Sequence, residues 1–162
     1  MVQVYLALYK GKAAINTPRD VVKRIADSVV RLATCSPYSH CEIAVKHPRG
    51  GLFDCYSSSA RDGGVRIKTM PLPADKWDLI PLPQSVAISA SRLFHRTHGA
   101  GYDWLGAIGV VLKSPHSKSR WFCSEWCAYV IGYTNPCRYS PQALYAAVST
   151  KDRPSEKMEE TK

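Results

Sequence analysis

Tyr38-Ser39-His40-Cys41-Glu42-Ile43-Ala44-Val45, followed by His47-Pro48-Arg49-Gly50-Gly51 and then Leu52-Phe53-Asp54-Cys55-Tyr56, sets the architecture of this chain. His40 and Glu42 alternate with Cys41, Ile43 and Val45, the period of a strand with one polar and one apolar face. The proline and paired glycines that follow predict a turn, and Leu52 to Tyr56 predicts the return strand of a hairpin. Asp62-Gly63-Gly64 turns the chain again into Val65-Arg66-Ile67-Lys68-Thr69-Met70, and Trp77 to Leu82, framed by prolines, adds a further strand. The middle of the chain therefore reads as an antiparallel meander.

On the N-terminal side, Val2 to Tyr9 is rich in β-branched, aromatic and leucine residues and ends at Lys10-Gly11-Lys12, which predicts a first strand. Thr17-Pro18-Arg19-Asp20 has the pattern of a helix start, with Thr17 as cap and Pro18 at the first helical position. Val22, Ile25, Val29 and Leu32 or Ala33 extend that helix to about Ala33 as a buried stripe. On the C-terminal side the period becomes helical from Ser85. One helix is predicted from Val86 to about His98, closed by Gly99-Ala100-Gly101, and a second, capped by Asp103, from Trp104 to Lys113. The exposed loop Ser114 to Ser119 then leads to Arg120-Trp121-Phe122-Cys123-Ser124-Glu125-Trp126-Cys127-Ala128-Tyr129-Val130-Ile131, a polar loop running into a buried helix. A last helix starts at Ser140-Pro141 and buries Leu144, Ala147 and Val148. The class is α+β, with one domain over residues 1–150 and a polar, disordered tail over 151–162.

The 162 residues carry 45% hydrophobic and 22% charged side chains, the composition of a globular domain. The net charge of +9 sits on residues 1–150, because the last twelve residues hold four bases and four acids. A basic body favours an anionic polymer, such as a cell wall, nucleic acid or an anionic membrane surface, without choosing among them. Met1-Val2-Gln3-Val4-Tyr5-Leu6 lacks a basic leader, so a cytoplasmic, reducing location with free thiols at Cys35, Cys41, Cys55, Cys123, Cys127 and Cys137 is expected. The longest apolar run, Trp104 to Leu112, is about half of what a bilayer span requires. His95 and His98 stand one helical turn apart, but no CxxC pair accompanies them, so neither a metal nor another cofactor is expected. The aromatics Trp104, Trp121, Trp126 and Tyr129 have the spacing of core or cleft walls rather than of base-stacking platforms, which disfavours nucleic acid as partner.

Chemistry concentrates at Cys123. A helix start offers unpaired backbone N–H groups and the positive end of the helix dipole, both of which acidify a thiol. A cysteine in that position also reads as a small buried hydrophobe. A nucleophilic thiol needs a base, itself oriented by a third polar group. His40, opening a strand after a proline-containing loop, is the natural base. Asp54 on the hairpin and Glu42, two residues along the same strand face, are both able to hold the imidazole. Cys127, one turn beyond Cys123, reads as core.

These segments, together with Gly64-Val65-Arg66-Ile67, Met70-Pro71-Leu72, Tyr102-Asp103-Trp104-Leu105-Gly106 and Phe122-Cys123-Ser124-Glu125, resemble the circularly permuted NlpC-type papain-like superfamily, most closely its YiiX/YebB-like branch. Lecithin–retinol acyltransferase-like proteins are more distant relatives. The resemblance covers roughly residues 36–130 and implies a permuted papain-like fold, an antiparallel β-meander or half-barrel packed against the helix that bears the catalytic cysteine. It implies Cys123 as nucleophile, His40 as base and Asp54, where the branch often has glutamate, as the orienting acid, with Glu42 as the alternative. The N-terminal strand and helix depart from the simpler opening of that family.

The resemblance implies a cysteine peptidase or amidase in which the backbone N–H of Cys123 also serves the oxyanion. The expected substrate is an amide bond in peptidoglycan stem peptides, with phage delivery as one route to a wall outside the cytoplasm. Two other functions fit the same residues. One is acyl transfer or thioester hydrolysis on lipids at a membrane surface, with Trp104 to Leu112 as an interfacial element. The other is a catalytically silent module that binds through its basic surface.

Overall fold

The first strand, β1 (Val4–Tyr9), is apolar on both faces, and the fold explains why: it lies inside the sheet, between two other strands. In the computed structural model, which describes residues 2–11, 31, 36–48, 50–103, 106–107 and 119–151, β1 pairs antiparallel with β2 (His40–Lys46) and, on its other side, with β5 (Trp77–Leu82). Strands β3 (Phe53–Ser59) and β4 (Gly64–Met70) complete a five-stranded antiparallel sheet of order β4-β3-β2-β1-β5. The meander expected from the sequence holds for β2, β3 and β4. β5 departs from it, crossing to the far edge to pair with β1. An edge suits β5, because Pro81 has no N–H to give a further strand.

Three α-helices are present among the described residues: α1 (Ser85–Thr97), α2 (Cys123–Ile131) and α3 (Pro141–Lys151), with a single 3-10 turn at Pro136–Arg138. Odd and even positions of β1 separate two cores, as the strand period requires. Val4, Leu6 and Leu8 join Cys41, Ile43 and Val65 in one core, against Val86, Ala90 and Leu93 of α1, Trp126, Cys127 and Val130 of α2, and Leu144 and Val148 of α3. Ala7 and Tyr9 face the other way, with Ala44, Cys55, Leu72 and Trp77. The indole N–H of buried Trp126 donates to Thr97 Oγ1 at 3.1 Å, which ties α2 to the end of α1 without leaving a buried polar group unmatched. Gly132, with φ of 92°, closes α2 in the left-handed conformation. No helix among the described residues is long and apolar enough to cross a membrane.

The expected helices at Thr17 to Ala33 and Trp104 to Lys113, the loop from Ser114 and the tail beyond Lys151 lie wholly or largely outside the described residues. Ala147 is half-buried rather than buried, while Leu144 and Val148 are in the core as read.

Gly64 marks where the sheet is locked to the segment after α1. Val65 N–H donates to Ala100 O at 2.9 Å, and a Cβ on Gly64 would overlap that same carbonyl. Gly64→Ala is therefore expected to destabilise the protein by about 2–3 kcal/mol, as overpacking against rigid backbone does. The midpoint of urea unfolding should fall accordingly; an unchanged midpoint would contradict this packing.

Candidate active site

The site is built where β2 and β3 part company. Their pairing ends at Ile43↔Tyr56, although β2 continues along β1 to Tyr9↔His40 and β3 continues along β4 to Ser59↔Gly64. In a strand the N–H and C=O of one residue point to the same side, so the parting bares both groups of Cys41 towards the gap. Ser57 Oγ fills one need, donating to Cys41 O at 2.8 Å. The start of α2 fills the other, since the Cys41 N–H hydrogen-bonds the Cys123 sulfur. Ser58 Oγ donates to Trp121 O at 2.7 Å and Trp121 N–H to Gly101 O at 3.1 Å, which fixes the approach to the helix. Phe122, in extended backbone, is its cap residue, with its own N–H turned to the Glu125 carboxylate, and Cys123 is the first helical residue.

Cys123 is buried, at 4% exposure, yet its thiol is held well below the ordinary cysteine range. The largest cause is the hydrogen bond from the Cys41 thiol, which outweighs the cost of burying a charge; the charge and hydrogen bond of His40 and the Cys41 N–H act in the same direction. Cys41 is pushed up by its own burial and by facing the Cys123 and Cys127 sulfurs, so it stays a thiol and acts as donor.

His40 has Cys123 as one partner and Glu42 as the other. Burial favours the neutral ring, but the charge of Cys123, its hydrogen bond and those of Glu42 prevail and push the imidazole up to about 10. His40 Nε2 lies 3.0 Å from Glu42 Oε1. Glu42 follows His40 by two residues, so the strand period alone places both on one face.

Glu42 is almost completely buried and is gripped by Arg66, whose Nη2 donates to Oε1 at 2.8 Å and Nη1 to Oε2 at 3.0 Å. Burial works against its charge, but His40 and Arg66 together hold the carboxyl down to about 2. Arg66 stands in β4 opposite Ser57, one residue beyond the last β2–β3 pair, and reaches across to Glu42 from there. Its Nε donates to Asp62 at 2.9 Å and its Nη1 also to Cys55 O at 3.0 Å. The result is a chain of alternating charge, Cys123, His40, Glu42, Arg66, Asp62, running from the helix start to the β3–β4 turn.

Asp54, the acid implied by the family resemblance, is not brought to His40. It pairs with Val45, five residues along β2 from His40, a separation of about 17 Å at the usual rise of a strand. There its carboxylate accepts a hydrogen bond from Thr69 Oγ1 at 2.6 Å. The acid that the structure brings to His40 is Glu42. Arg66, Ser57 and Ser58 were not singled out by the sequence. The alternation Val65-Arg66-Ile67 does place an arginine on the polar face of a neighbouring strand, but which acid it meets depends on the register. Tyr9 and Trp77 wall the His40 end, Tyr9 as its cross-strand neighbour and Trp77 edge-on at 6.5 Å between ring centres.

Comparison of the chain with family models, with curated proteins and with solved structures returns no match, so the meaning of the site rests on its own residues.

Proposed function

We propose that this chain is a cysteine hydrolase of the permuted NlpC type that cleaves an amide bond in peptidoglycan stem peptides. The observation that carries the reading is the set Cys123–His40–Glu42, in which Glu42 lies 3.0 Å from His40 and His40 and Cys123 each favour the other's charged form, with the sulfur at the first position of a helix and the histidine earlier in the chain than the cysteine. The thiolate of Cys123 attacks the carbonyl carbon, forming the carbon–sulfur bond and placing negative charge on the carbonyl oxygen. The N–H of Cys123, one of the helix-start groups without an intrahelical partner, faces that charge. The His40 imidazolium gives its proton to the departing amine as the carbon–nitrogen bond breaks. Water, deprotonated by the now neutral His40, then attacks the acyl-enzyme, releasing a carboxylic acid and restoring the ion pair. Glu42 supports the positive ring throughout. The basic body, with a net charge of +9, suits an anionic wall.

The test is digestion of purified muropeptides by the wild-type chain beside Cys123→Ala. New amine and carboxylate ends are expected with the wild type and none with the variant. Equal products from both proteins would overturn the reading.

A further inference from the structure

β4 is an edge of the sheet, and only the first part of that edge is used by the fold. Val65 turns its backbone groups away from β3, its N–H donating to Ala100 O at 2.9 Å and its C=O accepting from Gly99 N–H at 3.4 Å. By the strand period Ile67 and Thr69 turn their N–H and C=O the same way. Those groups have no hydrogen-bond partner among the described residues. Ile67 is 42% exposed, and Lys68 and Thr69 are exposed beside it. The opposite edge is blunted, since Pro81 of β5 has no N–H to give. β4 carries no proline and pairs residue for residue with β3 from Gly64 to Met70, so no bulge twists its edge away.

A second copy of this chain does not fit that edge. An antiparallel partner sets outward residues opposite outward residues, which gives a self-pair three registers. Ile67 opposite Ile67 puts Arg66 against Lys68 and calls on Val65 groups already bonded to Gly99 and Ala100. Ile67 opposite Thr69 puts Lys68 against Lys68, and like charges directly opposite destabilise a sheet. Thr69 opposite Thr69 brings Ile67 to Pro71, which has no N–H. The charge that turns a copy away attracts an acid. Lys68 makes no salt bridge among the described residues; Asp62, whose carboxyl feels its charge, is held by Arg66 at 2.9 Å. Asp54, across from Thr69, lies on the other face of the strand pair and is bonded by Thr69.

We propose that the β4 edge from Arg66 to Met70 is a docking site to which an extended acidic segment of another protein adds as a sixth, antiparallel strand, with its acid opposite Lys68. The outward groups of Ile67 and Thr69 supply the backbone hydrogen bonds, Lys68 selects the acid on one face, and Ile67 offers an apolar contact on the other. The inference stands independently of the chemistry assigned to Cys123.

The experiment adds the end-blocked heptapeptide Thr-Thr-Val-Glu-Val-Thr-Thr to the isotope-labelled full chain and follows amide hydrogen exchange by NMR. In the free protein the Ile67 and Thr69 amides are expected to exchange fast and Lys68, bonded into β3, slowly; saturating peptide should slow Ile67 and Thr69 about fivefold or more. Lys68→Glu should weaken binding of this peptide about two- to fivefold and favour Thr-Thr-Val-Lys-Val-Thr-Thr by a similar factor. Ile67→Pro, which removes an N–H that the β3 ladder does not use, should weaken both peptides about fivefold or more. Lys76→Glu, the same charge change at an exposed position before β5, should leave both affinities in place. No protection of Ile67 and Thr69 at millimolar peptide, or equal binding of the two peptides by the wild type, would overturn the proposal. Protection of those amides by self-association without peptide would overturn it too and assign the edge to a second copy.

Discussion

Alkylation of Cys123 by iodoacetamide is expected to change less than about threefold between pH 6 and pH 8.5, whereas an unperturbed thiol would speed up more than about a hundredfold over that range. The sign follows from the two partners. The Cys123 thiol is depressed by the Cys41 hydrogen bond and by His40, so its thiolate persists to lower pH than that of an ordinary cysteine and is lost as the pH falls through the lowered value. His40 is raised to about 10, so its proton is present across the whole range and leaves only above it. Hydrolysis and alkylation should therefore separate at high pH. Alkylation needs only the thiolate and continues, while hydrolysis declines as pH passes about 10 and the leaving amine loses its proton donor. A rate that climbs with pH like that of a simple thiol would show that the buried pair is neutral, and the hydrolase reading would lose its nucleophile.

That experiment probes the part of the site most legible in the sequence. Cys123 stands at a junction of polar loop and apolar helix, and His40 opens a strand of clear alternation, both local signals. The boundaries of β2, β5, α1 and α2 follow from the same local patterns. What local patterns do not contain is register. Asp54 and Glu42 are both acids on β-strands, and the family resemblance favoured Asp54; only the pairing Val45↔Asp54 shows that it faces Thr69 at a distance from His40. The strand period does place Glu42 with His40, so the acid that lies beside the imidazole was readable once proximity along one strand outweighs analogy. Arg66 needed the β3–β4 hairpin to be closed before it could be seen to reach β2. The place of β5 beside β1 is likewise a long-range fact, set by packing of Trp77 on Tyr9 and by an edge that tolerates Pro81.

The parting of β2 from β3 explains why Cys123 and His40 meet here. A continuous pair would have tied the Cys41 backbone into the sheet and closed the space that the start of α2 occupies. Two serines make the opening stable: Ser57 satisfies the Cys41 carbonyl and Ser58 holds the carbonyl of Trp121. Both are buried, so each replaces a backbone hydrogen bond where water is excluded. The Cys123 sulfur is thus positioned by sheet geometry as much as by the helix.

Replacing Glu42 by glutamine is expected to lower the rate of Cys123 alkylation at pH 6 about tenfold or more and to restore a strong dependence on pH. Glutamine keeps the size of the side chain and an oxygen for Arg66, but removes the charge that supports the His40 imidazolium at 3.0 Å. With that support gone the ring is easier to deprotonate, and the thiolate it stabilises is formed less readily; an opposite charge at such range commonly has effects of this size. Glutamine is the diagnostic change because harsher ones confuse site and fold. Glu42→Ala would leave the Arg66 guanidinium without its main partner, and Arg66→Met would strand a buried carboxylate, each costing about 3–5 kcal/mol of stability. The matched control is Asp54→Asn, which alters the contact with Thr69, away from His40, and should leave the alkylation profile where it was. If Asp54→Asn moved the profile and Glu42→Gln did not, the acid of the site would be Asp54, and the orientation of His40 described by these distances would not be the one that operates in solution.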